Sequence, residues 1–149
     1  MRYLEDTVHI DASPLEVWGW LCHLVDNYRD WHPDHVLAEW LAGPPNRVGS
    51  VMRTVELIGD HEEELLLELI EFDPPCRYAY RIGRSIGLLL PGGAFEIEPD
   101  PAGGCYFTAR IAYRYGLFTE RLVRKRVRQL RTHLAEESYN LKRIVEAAA

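Results

Sequence analysis

The sequence lacks the features that identify several large classes of protein. Its three cysteines are scattered, odd in number and absent from any CxxC pair, so neither a disulfide framework nor a thiolate zinc site is predicted. No apolar run approaches the roughly 20 residues that a membrane-spanning helix needs. The first ten residues do not resemble a signal peptide. We therefore expect a reduced, cytoplasmic protein that does not enter a membrane.

Positive charge is also scarce. The formal net charge of −6 argues against general affinity for nucleic acid. Basic residues do cluster between Arg121 and Arg131, but no aromatic residues of the kind that stack on bases are interleaved with them. We interpret this cluster as a solvent-exposed helix face and not as a phosphate or membrane surface.

What remains is the composition of one globular domain. The chain has 149 residues, of which 47% are hydrophobic and 27% are charged. A chain of this size and composition can bury a sizeable core. It contains no internal repeat and no low-complexity tract, so residues 1–149 are predicted to form a single domain.

The clearest pattern is a long amphipathic helix, predicted over residues 117–145 with Thr119 as its N-cap. The segment has no glycine or proline after residue 116. Its apolar residues recur at helical spacing, at positions Val123, Val127, Leu130, Leu134, Leu141 and Val145. A helix with one apolar stripe needs a broad apolar surface to cover that stripe.

The rest of the chain predicts that surface as short antiparallel strands. After an opening strand near residues 3–10, Ser13–Glu16 has the pattern of a capping box that begins a short helix. Asp26 is predicted to cap a second short helix that runs through Trp31 and is stopped by Pro33. Further strands are predicted at residues 35–41, 50–58, 61–72, 77–82, 94–98 and 105–115. The predicted fold is α+β: a curved antiparallel sheet of six or seven strands wrapped around the long helix, with an internal cavity.

Two polar residues interrupt the apolar stripe of the long helix. Glu137 lies inside the stripe and His133 lies at its edge, four residues earlier, so their side chains meet on one face. A carboxylate that faces a core is costly unless it is paired or bound to a cation. Imidazole and carboxylate are good ligands for zinc, iron or manganese. The pattern indicates a metal site, although an ion pair between Glu137 and Arg77 or Arg81 would also satisfy the carboxylate.

These features resemble the SRPBCC superfamily, which is also called START-like or helix-grip and includes polyketide cyclase-like proteins. The resemblance covers nearly the whole chain: the opening strand with DASPLEVWGWL, then VGSV, LLLELIEFDPPCRYAYRI and the terminal helix. It implies a helix-grip fold with an enclosed pocket for an apolar or aromatic small molecule. Members include lipid carriers, hormone receptors, polyketide cyclases and hydrolases, so the resemblance implies no single activity.

A narrower resemblance, to the zinc-dependent diacetylphloroglucinol and phloretin hydrolases, comes from NYRDWHPDH together with the later HLAEE. In that group a histidine, a strand glutamate and a His-x-x-x-Glu pair bind the metal. Carried over, the matching ligands are His35, His133 and Glu137. The resemblance also implies that Tyr28 is a pocket tyrosine that orients the substrate. For the strand glutamate it offers Glu64 or Glu68, and the ELIEFDPP context favours Glu68.

Three functions are compatible with the sequence. The first is a metal-dependent hydrolase that cleaves the aryl–acyl carbon–carbon bond of an acyl-phenol, with zinc, iron or manganese as cofactor. The second is a metal-free carrier of a small molecule or lipid, and the third is a polyketide cyclase-like enzyme that uses pocket acids. If Glu64 and Glu68 point inward, three leucines would form an outward apolar patch suited to a homodimer: Leu65, Leu67 and Leu69.

Overall fold

The computed structural model describes residues 1–83, 85–114 and 120–149, and it confirms the α+β helix-grip fold. The elements are β1 (Arg2–Ile10), α1 (Pro14–Cys22), α2 (Leu24–Trp31), β2 (His35–Ala42), β3 (Val51–Ile58), β4 (His61–Asp73), β5 (Arg77–Ile82), a short 3₁₀ helix (Ser85–Leu88), β6 (Gly92–Pro99), β7 (Cys105–Tyr113) and α3 (Glu120–Ala148). The predicted N-cap, Thr119, lies outside the described residues. No helix in the described ranges is long and apolar enough to cross a membrane.

The seven strands form one antiparallel sheet in the order β1-β7-β6-β5-β4-β3-β2. Strands β2 to β7 are neighbours in chain order, because each returns beside the one before it. The first strand instead pairs with the last, from Arg2 opposite Tyr113 to Ile10 opposite Cys105. This arrangement leaves β2 at one edge of the sheet.

Helix α3 covers the sheet with the apolar stripe that the sequence predicts. Leu134 and Leu141 are 2% and 0% exposed, and Leu130 and Val145 are also buried. Val127, nearer the start of the helix, is only partly buried against the core. The core therefore lies between the sheet and the C-terminal two thirds of α3.

The two short helices differ in how they begin. Helix α1 has the predicted capping box, because the Ser13 hydroxyl accepts from the Glu16 N–H and the Glu16 carboxylate accepts from the Ser13 N–H. Helix α2 begins at Leu24, so Asp26 lies inside its first turn and is not the cap that the sequence predicts. The backbone carbonyl of His23 accepts the first helical hydrogen bond, from Asn27, and no side chain caps this end.

Strand β4 corrects the predicted orientation of its acidic residues. Leu65 and Leu67 point toward the interior and Leu69 is 2% exposed, so the alternate residues Glu64 and Glu68 lie on the outer face. The leucines occupy the inward face because burying an apolar side chain is favourable, whereas burying a carboxylate is costly. The predicted outward leucine patch is therefore wrong, and the homodimer prediction loses the surface on which it depended.

Alanine substitutions at a buried leucine of α3 and at an exposed leucine of α1 should measure how much the packing of α3 stabilises the fold. Leu141→Ala empties a fully buried position and should lower the free energy of unfolding by about 2–5 kcal/mol. Leu15→Ala, on the exposed side of α1 where Leu15 is 70% exposed, should change it by no more than about 0.5 kcal/mol. Urea unfolding followed by circular dichroism measures both. Equal losses would contradict the packing described here.

Candidate functional site

A cavity of about 70 Å³ lies between the sheet and α3. Its walls are mainly apolar and aromatic, and include Trp31, Leu65, Leu67, Tyr78, Tyr80, Phe95, Ile111 and Leu134. Because one water needs roughly 10–15 Å³ on this scale, the space holds a handful of waters. A cavity that binds benzene has a volume of roughly 150 Å³, so a ring compound would need this space to widen.

Four chemically active side chains converge at this cavity. They are His35, Glu56, His133 and Glu137, and their candidate ligand atoms all lie within 4.8 Å of one another. None of the four residues is more than 9% exposed. We call this group the four-residue cluster.

The fold brings the cluster together from two directions. His133 and Glu137 are one helical turn apart on the inner face of α3. His35 and Glu56 are opposite each other in the β2–β3 pairing, so their side chains share one face of the sheet. Because α3 lies across that face, the cross-strand pair meets the helical pair.

The hydrogen bonds of His35 fix the state of its ring. Its Nδ1 lies 2.8 Å from the backbone carbonyl of Tyr28, which can only accept, so Nδ1 carries a proton. Its Nε2 faces Oε1 of Glu137 at 2.7 Å, and two lone pairs cannot face each other so closely without a proton or a cation between them. A histidine that donates one ring N–H to a backbone carbonyl is typical of metal ligands.

His133 is the second histidine of the cluster. Its Nε2 is buried and has no hydrogen-bond partner among the described residues, although Glu137 Oε1 and Glu56 Oε2 lie 3.3 and 3.5 Å away. The distance from His35 Nε2 to Glu56 Oε2 is 3.7 Å. In a tetrahedral zinc site with bonds of about 2.0–2.1 Å, neighbouring ligand atoms are roughly 3.3–3.4 Å apart. Two of these distances are close to that spacing, whereas the 2.7 Å between His35 Nε2 and Glu137 Oε1 is shorter. Two imidazoles and two carboxylates are nevertheless the donor types that a divalent metal ion binds.

Burial and charge act in opposite directions on the protonation of the cluster. Burial alone would raise the pKa of Glu137, but His133 and His35 lower it to about 2. Burial alone would lower the pKa of His133, but Glu137 and Glu56 raise it to about 10. Since His133 Nε2 lacks hydrogen-bond geometry, we attribute this rise to the charges of the two carboxylates. Without a metal ion, an imidazolium must balance the buried acids.

Tyr28 supports the cluster from α2. Its hydroxyl donates to Glu56 Oε2 at 3.0 Å, and its ring stacks on the His35 ring with centroids 3.9 Å apart. Burial, together with the charges of Glu56 and Glu137, raises the pKa of Tyr28 well above its ordinary value. Tyr28 therefore stays a neutral donor that holds Glu56 and His35 in place.

The structure brings together four of the five residues that the sequence proposed for the site: Tyr28, His35, His133 and Glu137. It does not bring in Glu68, which pairs with Arg81 at 2.5 Å on the outer face. Nor does it bring in Glu64, which pairs with Arg53 at 3.1 Å. Arg81 therefore has a partner other than Glu137.

Sequence reasoning missed Glu56, although a signal for it existed. On β3 the inward positions alternate with outward ones, and Met52, Thr54, Glu56 and Ile58 are all buried. An acid in an otherwise uncharged inward row of a strand is the same anomaly that identified Glu137 on the helix. The signal is ambiguous from sequence alone, because the alternate row of β3 also holds a single charged residue, Arg53.

Nearly the whole chain matches a known family. A family model described as polyketide cyclase/dehydrase and lipid transport matches residues 1–146. No curated protein sequence matches the chain. The match agrees with the superfamily that the sequence resembles.

Several solved structures share the fold at low sequence identity. TTHA0849 from Thermus thermophilus has a TM-score of 0.79 and 15% identity, with 99% of each chain covered. Norcoclaurine synthase from Thalictrum flavum, in complex with dopamine and hydroxybenzaldehyde, has a TM-score of 0.77 and 14% identity, over 99% of this chain and 88% of that one. The di-domain ARO/CYC StfQ from the steffimycin biosynthetic pathway has a TM-score of 0.77 and 13% identity, over 98% and 50%. These likenesses show the fold alone, and none of the three descriptions names a metal-dependent hydrolase.

The charge of His133 should make the stability of the metal-free protein depend on pH. The folded-state pKa of about 10 lies above the ordinary value of 6.5, so the stabilisation is complete below about pH 6.5 and is lost as pH rises toward 10. Urea unfolding of chelator-treated protein across this range should show that decline, and His133→Gln should flatten it. Parallel pH profiles for the two proteins would contradict the charged cluster.

Proposed function

The chain belongs to the polyketide cyclase/dehydrase and lipid transport family, and we propose that it binds an apolar or aromatic small molecule beside a divalent metal ion. Family membership supports a ligand-binding or cyclase-like role. The apolar and aromatic walls of the cavity favour an apolar or aromatic ligand, and its volume of about 70 Å³ means that the cavity must widen to take a ring. The norcoclaurine synthase structure, in complex with dopamine and hydroxybenzaldehyde, is an example of this fold with ring compounds bound.

One observation carries the metal proposal: the buried, unpartnered Nε2 of His133 faces two carboxylates at 3.3 and 3.5 Å. Buried polar groups are nearly always satisfied, so an orphaned ring nitrogen needs an explanation. A divalent ion held by the four-residue cluster would satisfy it and would neutralise both acids. When bound, zinc, iron or manganese would polarise a carbonyl and acidify a water.

The finer proposal is hydrolysis of an acyl-phenol. Water adds across the aryl–acyl carbon–carbon bond: the ring carbon gains a proton, the acyl carbon gains the hydroxyl group, and a phenol and a carboxylic acid leave. No electrons are exchanged with another reactant. The aromatic wall would hold the ring, and Tyr28, which lines the cavity and bonds Glu56, would orient the phenol near the cluster.

A metal-free carrier is the second candidate, and one distance favours it. His35 Nε2 and Glu137 Oε1 are 2.7 Å apart, which is a direct hydrogen bond and shorter than the roughly 3.3 Å between ligand atoms of a tetrahedral site. An imidazolium could therefore satisfy Glu137 without a metal ion. A cyclase-like enzyme would use the same buried acids. Direct measurement of metal binding separates these candidates from the first.

Two matched glutamate variants should locate the metal site. Isothermal titration of metal-free protein with zinc or manganese should show about one ion per chain. Glu56→Gln should lower the affinity by more than the roughly 10–100-fold that loss of a supporting residue costs. Glu68→Gln should leave it unchanged, because Glu68 pairs with Arg81 outside the cavity. Wild-type protein without saturable binding would favour the carrier, and equal losses would reject the assignment of Glu56.

The hydrolase proposal predicts a specific product ratio. Metal-loaded protein given 2,4,6-trihydroxyacetophenone should release acetate and 1,3,5-trihydroxybenzene in equal amounts, as measured by chromatography. Tyr28→Phe keeps the ring stacked on His35 but loses the hydrogen bond to Glu56, and should lower kcat/KM by about 10–100-fold. Tyr106→Phe, at an exposed tyrosine of β7, is the control. Metal-loaded protein that binds the compound but leaves it intact would reject this reaction for this substrate.

A further inference from the structure

A surface cleft reaches one member of the four-residue cluster, His133, from the outside of the protein. A cleft of about 280 Å³ lies between the end of β3, at Leu57 and Ile58, and the outer side of α3. Ile58 and His133 line both this outer cleft and the internal cavity. His133 therefore stands in the wall between the two spaces.

We propose that the outer cleft is the route by which the metal ion reaches the cluster, separate from the cavity that takes the organic ligand. This inference rests on the proposed metal site. The unpartnered His133 Nε2, in a residue that is 8% exposed, is the group toward which the route leads.

The rim of the outer cleft carries oxygen donors. The side chains of Asp34 and Glu136 line it and are 46% and 54% exposed. Carboxylates at the surface raise the local concentration of cations. Arg128 lines the same cleft and opposes this effect, so the two signs of charge can be tested separately.

His32 connects the rim to the cluster. It is 2% exposed, and its Nδ1 accepts from the backbone N–H of Asp34 at 3.0 Å. Its Nε2 therefore carries the proton and donates to Glu136 Oε2 at 2.6 Å. The His32 ring lies 4.3 Å from the His133 ring, and nitrogens of His32, His35 and His133 lie within 4.8 Å of one another. Both nitrogens of His32 are already hydrogen-bonded, so a cation that moves inward meets the carboxylate oxygens of the rim first and His133 Nε2 next.

The internal cavity is a poor route for the same ion. Its lining is mainly apolar, and a hydrated dication would lose its water there without compensation. The charged residues Glu63 and Arg126, which also line the cavity, are paired with each other at 2.5 Å across β4 and α3. The organic ligand and the metal ion thus have different chemical requirements for access.

Charge variants at the rim provide the first test. Cobalt or zinc association with metal-free full-length protein is followed by stopped flow at low ionic strength. Glu136→Gln keeps an acceptor for His32 but removes the charge, and should slow association about threefold, whereas Arg128→Gln should speed it by a similar factor. Both effects should shrink at about 0.15 M salt. Glu71→Gln, at an outer-face glutamate of β4 that pairs with Arg77, should leave the rate unchanged.

Steric variants provide the second test. Thr132 is exposed on α3 and lines the outer cleft, whereas Leu65 lines the internal cavity. Thr132→Phe should slow metal association and dissociation together by about fivefold or more, and leave the equilibrium affinity within about twofold, as expected for a blocked path. Leu65→Phe should leave both rates unchanged.

The outcomes separate this inference from the proposed function. Metal binding with rates that respond to Leu65→Phe but not to Thr132→Phe, or that ignore both rim charges, overturns the outer-cleft route and leaves the metal site standing. Absence of metal binding by wild-type protein at equilibrium overturns the metal site and the route together.

Discussion

The structure depends on the cost of burying two carboxylates in an apolar interior. His35 and His133 face the carboxylate of Glu137, and Tyr28 donates to that of Glu56. The backbone at the site is also held in place, because the Trp31 indole donates to the Glu137 backbone carbonyl at 2.9 Å. Asn140 in turn donates to the Trp31 carbonyl. The junction between α2 and α3 is therefore built around the buried acids.

Most of the fold could be predicted from local patterns. Hairpin order and the stripe on the long helix fix the architecture, because antiparallel neighbours and one apolar face leave few ways to bury the core. His133 and Glu137 could be predicted because a helical turn places them together. Motif context could not choose the strand glutamate of the cluster, because Glu56, Glu64 and Glu68 all lie on strands and only packing decides which face is inward. On β4, the leucines face the interior, and this places Glu64 and Glu68 on the outer face.

The fold alone does not assign the chemistry of the site. The likeness to TTHA0849, norcoclaurine synthase and StfQ concerns the sheet and its helix, and one fold supports many chemistries. What the cavity can do therefore follows from its own lining, which is mainly apolar and aromatic and lies beside the four-residue cluster.

Strand β2 has a neighbour on one side only, and such edge strands are prone to slip in register or to pair with other molecules. His35 sits at its first position, opposite Glu56, and reaches Glu137 on α3. A slip of one residue would turn His35 away from both partners, so the contacts of His35 also hold strand β2 in register. Loss of these contacts would then favour self-association and precipitation.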